Sequence, residues 1–132
     1  MQFARDIEQF SYRHRLTHDE MEYPIHIHDR YEIYYFVSGD INFYIEGNHY
    51  SLQPGDLLII NGNELHVPRF NPVNYNERYI IEFSPDFIKN FQAEGYDLLR
   101  SFEQRIPGSY NKIDKKYVEK YGLRETIIGL IA

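Results

Sequence analysis

His26 and His28 stand one residue apart, Glu32 follows after three more, and His66 lies further along the chain. Imidazole and carboxylate are the side chains that hold divalent transition metals when no thiolate is present. On an extended strand alternate side chains face one way, so His26 and His28 point to the same side. Glu32 has the same parity, yet on a straight strand it would lie about 13 Å beyond His28. It joins the pair only if the chain turns at Asp29-Arg30-Tyr31, so that Glu32 opens a neighbouring strand. His66 must then come from a third strand. Together the four would surround a zinc, nickel, manganese or iron ion, and their types do not choose among these. The competing reading is a hydrogen-bonded polar cluster that holds no metal.

Other side chains on the same strands offer recognition rather than coordination. Tyr34 and Phe36 share the parity of Glu32, and Tyr44 sits on the strand after them. Their rings form either the stacking walls of a pocket for a small polar or sugar-like ligand or plain core filling. Core filling is favoured for Phe36; Tyr34 and Tyr44 stay open between the two. Arg69 and Arg78 could meet an anionic ligand, although solvated or salt-bridged placement is the default. His49 is read as a solvated strand residue and His18 as part of a polar loop, while His14 could line the barrel, although an ordinary surface position is the default.

These residues must be positioned by strands. Apolar and aromatic runs cover Gln9 to Leu16, Tyr23 to His28, Glu32 to Val37, Ile41 to Glu46, His49 to Gln53, Leu57 to Ile60, His66 to Phe70 and Arg78 to Phe83. Gly47-Asn48 reads as a two-residue hairpin connection, and Pro54-Gly55 as the centre of a type II turn. Pro68 suggests an edge position. Met1 to Ile7 reads as a mobile arm. Many short strands between turns predict a small antiparallel sandwich or barrel. After residue 83 the pattern changes. Ser84-Pro85-Asp86 is a helix start. Phe87, Phe91, Leu98, Leu99 and Phe102 suggest short helices, and Asp114 begins another. Leu123, Ile127, Ile128, Leu130 and Ile131 fall near one face of a final helix. That apolar face either packs on the core or meets a second subunit. It reaches Ala132 without a cap, so the helix is expected to continue in a longer protein.

Composition narrows the function. The 132 residues suffice for one compact core. A net charge of −6 argues against a face that grips phosphates. The chain has no cysteine, which removes disulfides and thiolate sites. No signal core and no run of membrane-spanning length appear.

The run H-x-H, three residues, E, six residues, G, ending at Gly39, resembles the first signature of the cupin barrels. The segment from Gly55 to His66 resembles the second, with Asn61, Asn63 and Phe70 departing from its usual proline, glycine and asparagine. More narrowly, HIHDRYEIYYFVSGD followed by LQPGDLLIINGNELH is similar to the sensing domain of AraC-type transcription regulators, over roughly Glu8 to Phe87. The resemblance implies a mainly β, cupin-type double-stranded β-helix (jelly-roll) barrel in residues 1–83, with a short N-terminal arm. A helical segment for dimerisation or linkage follows in residues 84–132. It implies a cytoplasmic, non-enzymatic sensor that binds a small-molecule effector, works as a homodimer, and reaches DNA only through a separate helix-turn-helix domain. No membrane partner is expected. The alternatives are a metal-dependent cupin enzyme, an oxygenase or isomerase, and a metal-free interaction domain.

Overall fold

The computed structural model describes residues 3–7, 10–17, 30–89 and 100–129, with side chains for 10–17, 30–88 and 100–129. The expected strand Tyr23 to His28 therefore lies outside the described residues, as do His26 and His28 themselves.

Among the described residues nine strands and four short helices follow in chain order. The strands are β1 (Phe3–Ile7), β2 (Phe10–Thr17), β3 (Tyr31–Ser38), β4 (Ile41–Ile45), β5 (Asn48–Ser51), β6 (Leu57–Ile60), β7 (His66–Phe70), β8 (Asn76–Phe83) and β9 (Lys112–Ile113). The helices are α1 (Pro85–Lys89), α2 (Arg100–Glu103), α3 (Lys115–Lys120) and α4 (Leu123–Gly129). One sheet has the order β1-β2-β8-β3-β6-β9 and the other β5-β4-β7. All seven pairings are antiparallel.

Strand alternation divides the apolar side chains into two clusters. Tyr34, Phe36, Ile41, Phe43, Ile45, Leu58, Ile60, Phe70 and Ile80 fill the space between the sheets. Tyr12, Tyr31, Tyr35, Tyr79, Ile81 and Phe83 face the opposite way and pack with Phe102, Val118 and Ile127 of the helices. The molecule thus has three layers: small sheet, large sheet, helices. Each fully buried large side chain contributes about 1.5–3 kcal/mol, so both clusters hold the large sheet in place.

Most element positions agree with the sequence reading, and the differences have local causes. Met1 to Ile7 is not an arm throughout, since residues 3–7 pair with β2 from Phe3↔His14 to Ile7↔Phe10. The open ladder of β2 satisfies their backbone groups. The hairpin turn is centred one residue earlier than expected. Glu46 and Gly47 carry the positive φ angles, 49° and 79°. Asn48 instead starts β5 opposite Ile45, where its amide donates to the Gly108 carbonyl at 2.7 Å. Ser84 does cap α1, accepting the Phe87 N–H at 3.1 Å.

The Pro54-Gly55 turn is as expected, with Gly55 at φ 95°. Buried Asp56 braces it by accepting the Gln53 N–H at 2.8 Å, and it also accepts the Lys115 N–H at the start of α3, at 3.0 Å. The final helix packs on the core: Ile127 is buried against the large sheet, and the Tyr12 hydroxyl donates to its carbonyl at 3.1 Å.

Candidate functional site

The inner face of β3 presents Glu32, Tyr34 and Phe36 in turn, and β7 opens with His66. His66 Nε2 lies 3.2 Å from Glu32 Oε2, and its Nδ1 lies 3.0 Å from the Glu64 carbonyl. Burial alone would lower the His66 pKa. The bond and charge of Glu32, the Glu64 carbonyl and the charge of Glu82 outweigh it and push the value up to about 9. The raised pKa favours the imidazolium near neutral pH, with Nδ1–H donating to the Glu64 carbonyl and Nε2 within ion-pair range of Glu32. The backbone carbonyl on Nδ1 fixes the ring so that Nε2 faces Glu32. A metal would have to displace the Nε2 proton.

Two further charged side chains join this pair. Glu82 of β8 stands directly opposite Glu32 in the ladder, and Arg13 of β2 forms an ion pair with Glu82. Two adjacent carboxylates thus sit between two cations. Like charges opposite one another repel, and the flanking Arg13 and His66 offset that repulsion. The sequence reading did not include Arg13 and Glu82. Their signal was alternation: Ser11, Arg13, Arg15 and Thr17 take the parity opposite to Tyr12, and Tyr12 belongs to the helix-facing cluster.

Of the four proposed metal ligands, Glu32 and His66 are together, and His26 and His28 lie outside the described residues. No group of three or more metal-ligating side chains occurs among the described residues. Of the three proposed ligand-binding rings, two face inward. Phe36 is 0% exposed in the inter-sheet cluster, and Tyr34 is buried there, edge-on to Phe43 at 4.8 Å. Tyr44 is corrected: it is 43% exposed and stacks on His49 at 5.0 Å. In β4 the inward positions are Ile41, Phe43 and Ile45, so Tyr44 must point out. Arg69 is exposed, whereas Arg78 is wholly buried. His14 is likewise corrected from a surface position. It packs against Tyr79, rings 4.3 Å apart, and bonds Glu77 at 2.7 Å.

A shallow hollow of about 430 Å³ lies elsewhere, outside the sheets, between α2 and the β6–β9 edge. Among the described residues no helix is long and apolar enough to cross a membrane.

Comparison with known proteins places this geometry. Three solved structures share the fold. A cupin protein from Bacteroides fragilis is 19% identical, with 70% of this chain and 75% of that one covered and a TM-score of 0.50. A cupin 2 conserved barrel domain protein from Salinispora arenicola is 16% identical, with coverage of 68% and 80% and a TM-score of 0.54. An RmlC-like cupin with a double-stranded β-helix fold from Methanocaldococcus jannaschii is 12% identical, with coverage of 68% and 86% and a TM-score of 0.51. At these identities the likeness is one of fold. No curated protein matches the chain. The family described as AraC-like ligand binding domain matches residues 10–114, which span both sheets, the Glu32–His66 pair and the loop to α3, and this chain belongs to that family.

Proposed function

We propose that the chain is the effector-sensing and dimerisation module of a cytoplasmic, bacterial AraC-type transcription regulator, and that it is not an enzyme. A small molecule held between the sheets, against Glu32, Tyr34 and His66, favours one arrangement of the N-terminal strand and C-terminal helices over another. A separate DNA-binding domain then reads that difference.

One observation carries the reading: β2, β3 and β8 serve both faces. Their inward residues include Arg13, Glu32, Tyr34 and Glu82, while Tyr12, Tyr35 and Tyr79 on the reverse face pack with the helices. The Tyr12 hydroxyl ties β2 to the Ile127 carbonyl of α4, so a shift of that strand would be passed to the helix. The net charge of −6 supports leaving DNA contact to another domain.

Thermal-shift screening with neutral sugars and small metabolites is expected to find a compound that raises the melting point. At a hundredfold excess over Kd the gain is about 2.7 kcal/mol. The same compound should change operator affinity of the full-length regulator, while residues 1–132 alone show no sequence-specific DNA binding. Tight, salt-resistant and sequence-specific binding by residues 1–132 would contradict the reading.

A divalent ion fits the same site in part. Glu32 and His66 are within one ion's reach of each other, and His26 and His28 would complete the set. Such an ion would supply a Lewis-acidic centre for oxygen atoms of the effector. His28→Ala is expected to abolish metal binding while the circular dichroism of the fold is unchanged. Elemental analysis that finds no stoichiometric metal in the reconstituted wild-type chain rejects the metal.

A further inference from the structure

We infer that the hollow beside Tyr110 is a second small-molecule site, outside the barrel, and that it takes a flat apolar acid: an aromatic body carrying one carboxylate. The site is separate from the sensing reading and does not depend on it. Its volume of about 430 Å³ falls in the range of small-molecule pockets, roughly 300–1,000 Å³. Its floor is apolar. Ile59 of β6 is only 8% exposed, and Ile113 of β9 joins it in the lining.

Tyr110 supplies the aromatic ring of that lining. Its φ is +57°, a left-handed backbone that costs an L side chain and suits glycine or asparagine. The ring is 84% exposed, so burial recovers none of that cost. Outliers that their surroundings hold in place cluster at ligand sites, and the backbone here is held on both sides. The Gly108 N–H donates to Glu64 at 2.7 Å. The Gly108 carbonyl accepts the Asn48 amide at 2.7 Å and the Tyr50 hydroxyl at 2.6 Å. After Tyr110, the Ile59 N–H donates to the Asn111 carbonyl at 2.9 Å, and the Asn111 amide donates to the Ile59 carbonyl at 2.9 Å. A ring fixed in this way meets a ligand without first having to be ordered.

The sign of the ligand's charge follows from the rim. Arg100 of α2 lines the hollow, and its Nε donates to Gln104 Oε1 at 3.0 Å. That acceptor is neutral, so it orients the guanidinium without offsetting its charge. Arg105, the other guanidinium of the lining, is engaged by Glu64. Among the described lining residues there is no carboxylate. A planar carboxylate matches the guanidinium fork, and a flat ring stacks on Tyr110. The competing reading is a solvated groove beside a plain surface ring.

The test titrates naphthoate and the neutral naphthamide into residues 1–132 by calorimetry, for wild type, Tyr110→Gly, Arg100→Gln and the control Ile106→Ala. Ile106 is exposed on the same loop but is not part of the lining. Wild type is expected to bind naphthoate with a Kd of about 1 mM, and naphthamide about threefold more weakly. Y110G should fold, since glycine accepts the positive φ, and should lose about fivefold or more in naphthoate affinity. If it does not fold, Tyr110→Asn removes the same ring. R100Q should bind acid and amide alike, and I106A should match wild type. No saturable naphthoate binding by wild type overturns the inference. So does an unchanged affinity in Y110G, because the acid then binds elsewhere, the barrel included. Equal affinity of wild type for acid and amide overturns the carboxylate. A loss in I106A as large as in Y110G also overturns the site, since the loop at large and not the ring would then be responsible. Each of these outcomes leaves the sensing reading standing.

Discussion

Glu64→Ala is expected to destabilise the domain by about 3–5 kcal/mol, the cost of leaving one half of a buried ion pair without its partner. Arg105 grips the carboxylate with both arms, Nη2 to Oε1 at 2.7 Å and Nη1 to Oε2 at 3.0 Å. The N–H groups of Gly108 and Asn61 donate to it at 2.7 and 2.8 Å, and the Asn111 amide donates at 3.1–3.2 Å. The two charged side chains are only 6% and 3% exposed. One carboxylate thus closes the turn between β6 and β7 and fastens to it the loop that runs from α2 to β9. Chemical denaturation measures the loss, and a loss below about 1 kcal/mol would refute the network's role.

The pH dependence has a definite sign. Burial alone would raise the Glu64 pKa, but the donors from Arg105, Gly108, Asn61 and Asn111 bring it down to about 2. A depressed carboxylate pKa contributes stability that is present above the unfolded value of 4.5 and lost as pH falls towards 2. The gap corresponds to about 3 kcal/mol. In E64A that part of the acid sensitivity is expected to vanish. The effect should reach the candidate site, because the Glu64 carbonyl is the acceptor for His66 Nδ1.

What the sequence made legible was periodicity within single strands. The parity of Glu32, Tyr34 and Phe36 was readable because alternation is a property of one strand, and all three do face inward. Phase between strands was not readable. Tyr44 was assigned inward from its neighbourhood alone, yet a turn separates it from β3 and resets the parity. Arg13 and Arg15 alternate with Tyr12 and His14, and either set can be the inner one until the helices choose a face. They cover Tyr12, which sends the arginines inside. Glu64 and Arg105 are 41 residues apart, and no local pattern announces a pair made across that distance. The strand at residues 3–7 depends on the same kind of information, since its backbone finds partners only once β2 exists. The reach of His66 to Glu32 was legible through resemblance to a known motif; their separate positions in the chain would not have revealed it.

The glycine that closes that motif sets up the second large effect. Gly39→Ala is expected to cost about 2–4 kcal/mol, the sum of a left-handed backbone and an overlap that packing cannot relieve. Gly39 has φ +123°, and a Cβ there would lie 2.8 Å from the Asn76 Cα. Neither partner can move cheaply. Asn76 is 0% exposed and accepts the Asp40 N–H at 2.7 Å. Its own amide donates to the Asn74 carbonyl at 3.1 Å. The pairing of β3 with β8 shifts register between Phe36 and Ser38, so the glycine lies where the strand leaves its ladder. Gly47 provides the internal control. Its φ is +79°, but a Cβ there meets nothing within 4 Å. Gly47→Ala should therefore cost only the left-handed penalty, about 1–2 kcal/mol. Denaturation of the two variants side by side separates dihedral strain from steric overlap. Equal losses would mean that Asn76 yields, and that the space beside Gly39 does not anchor the end of the strand carrying Glu32.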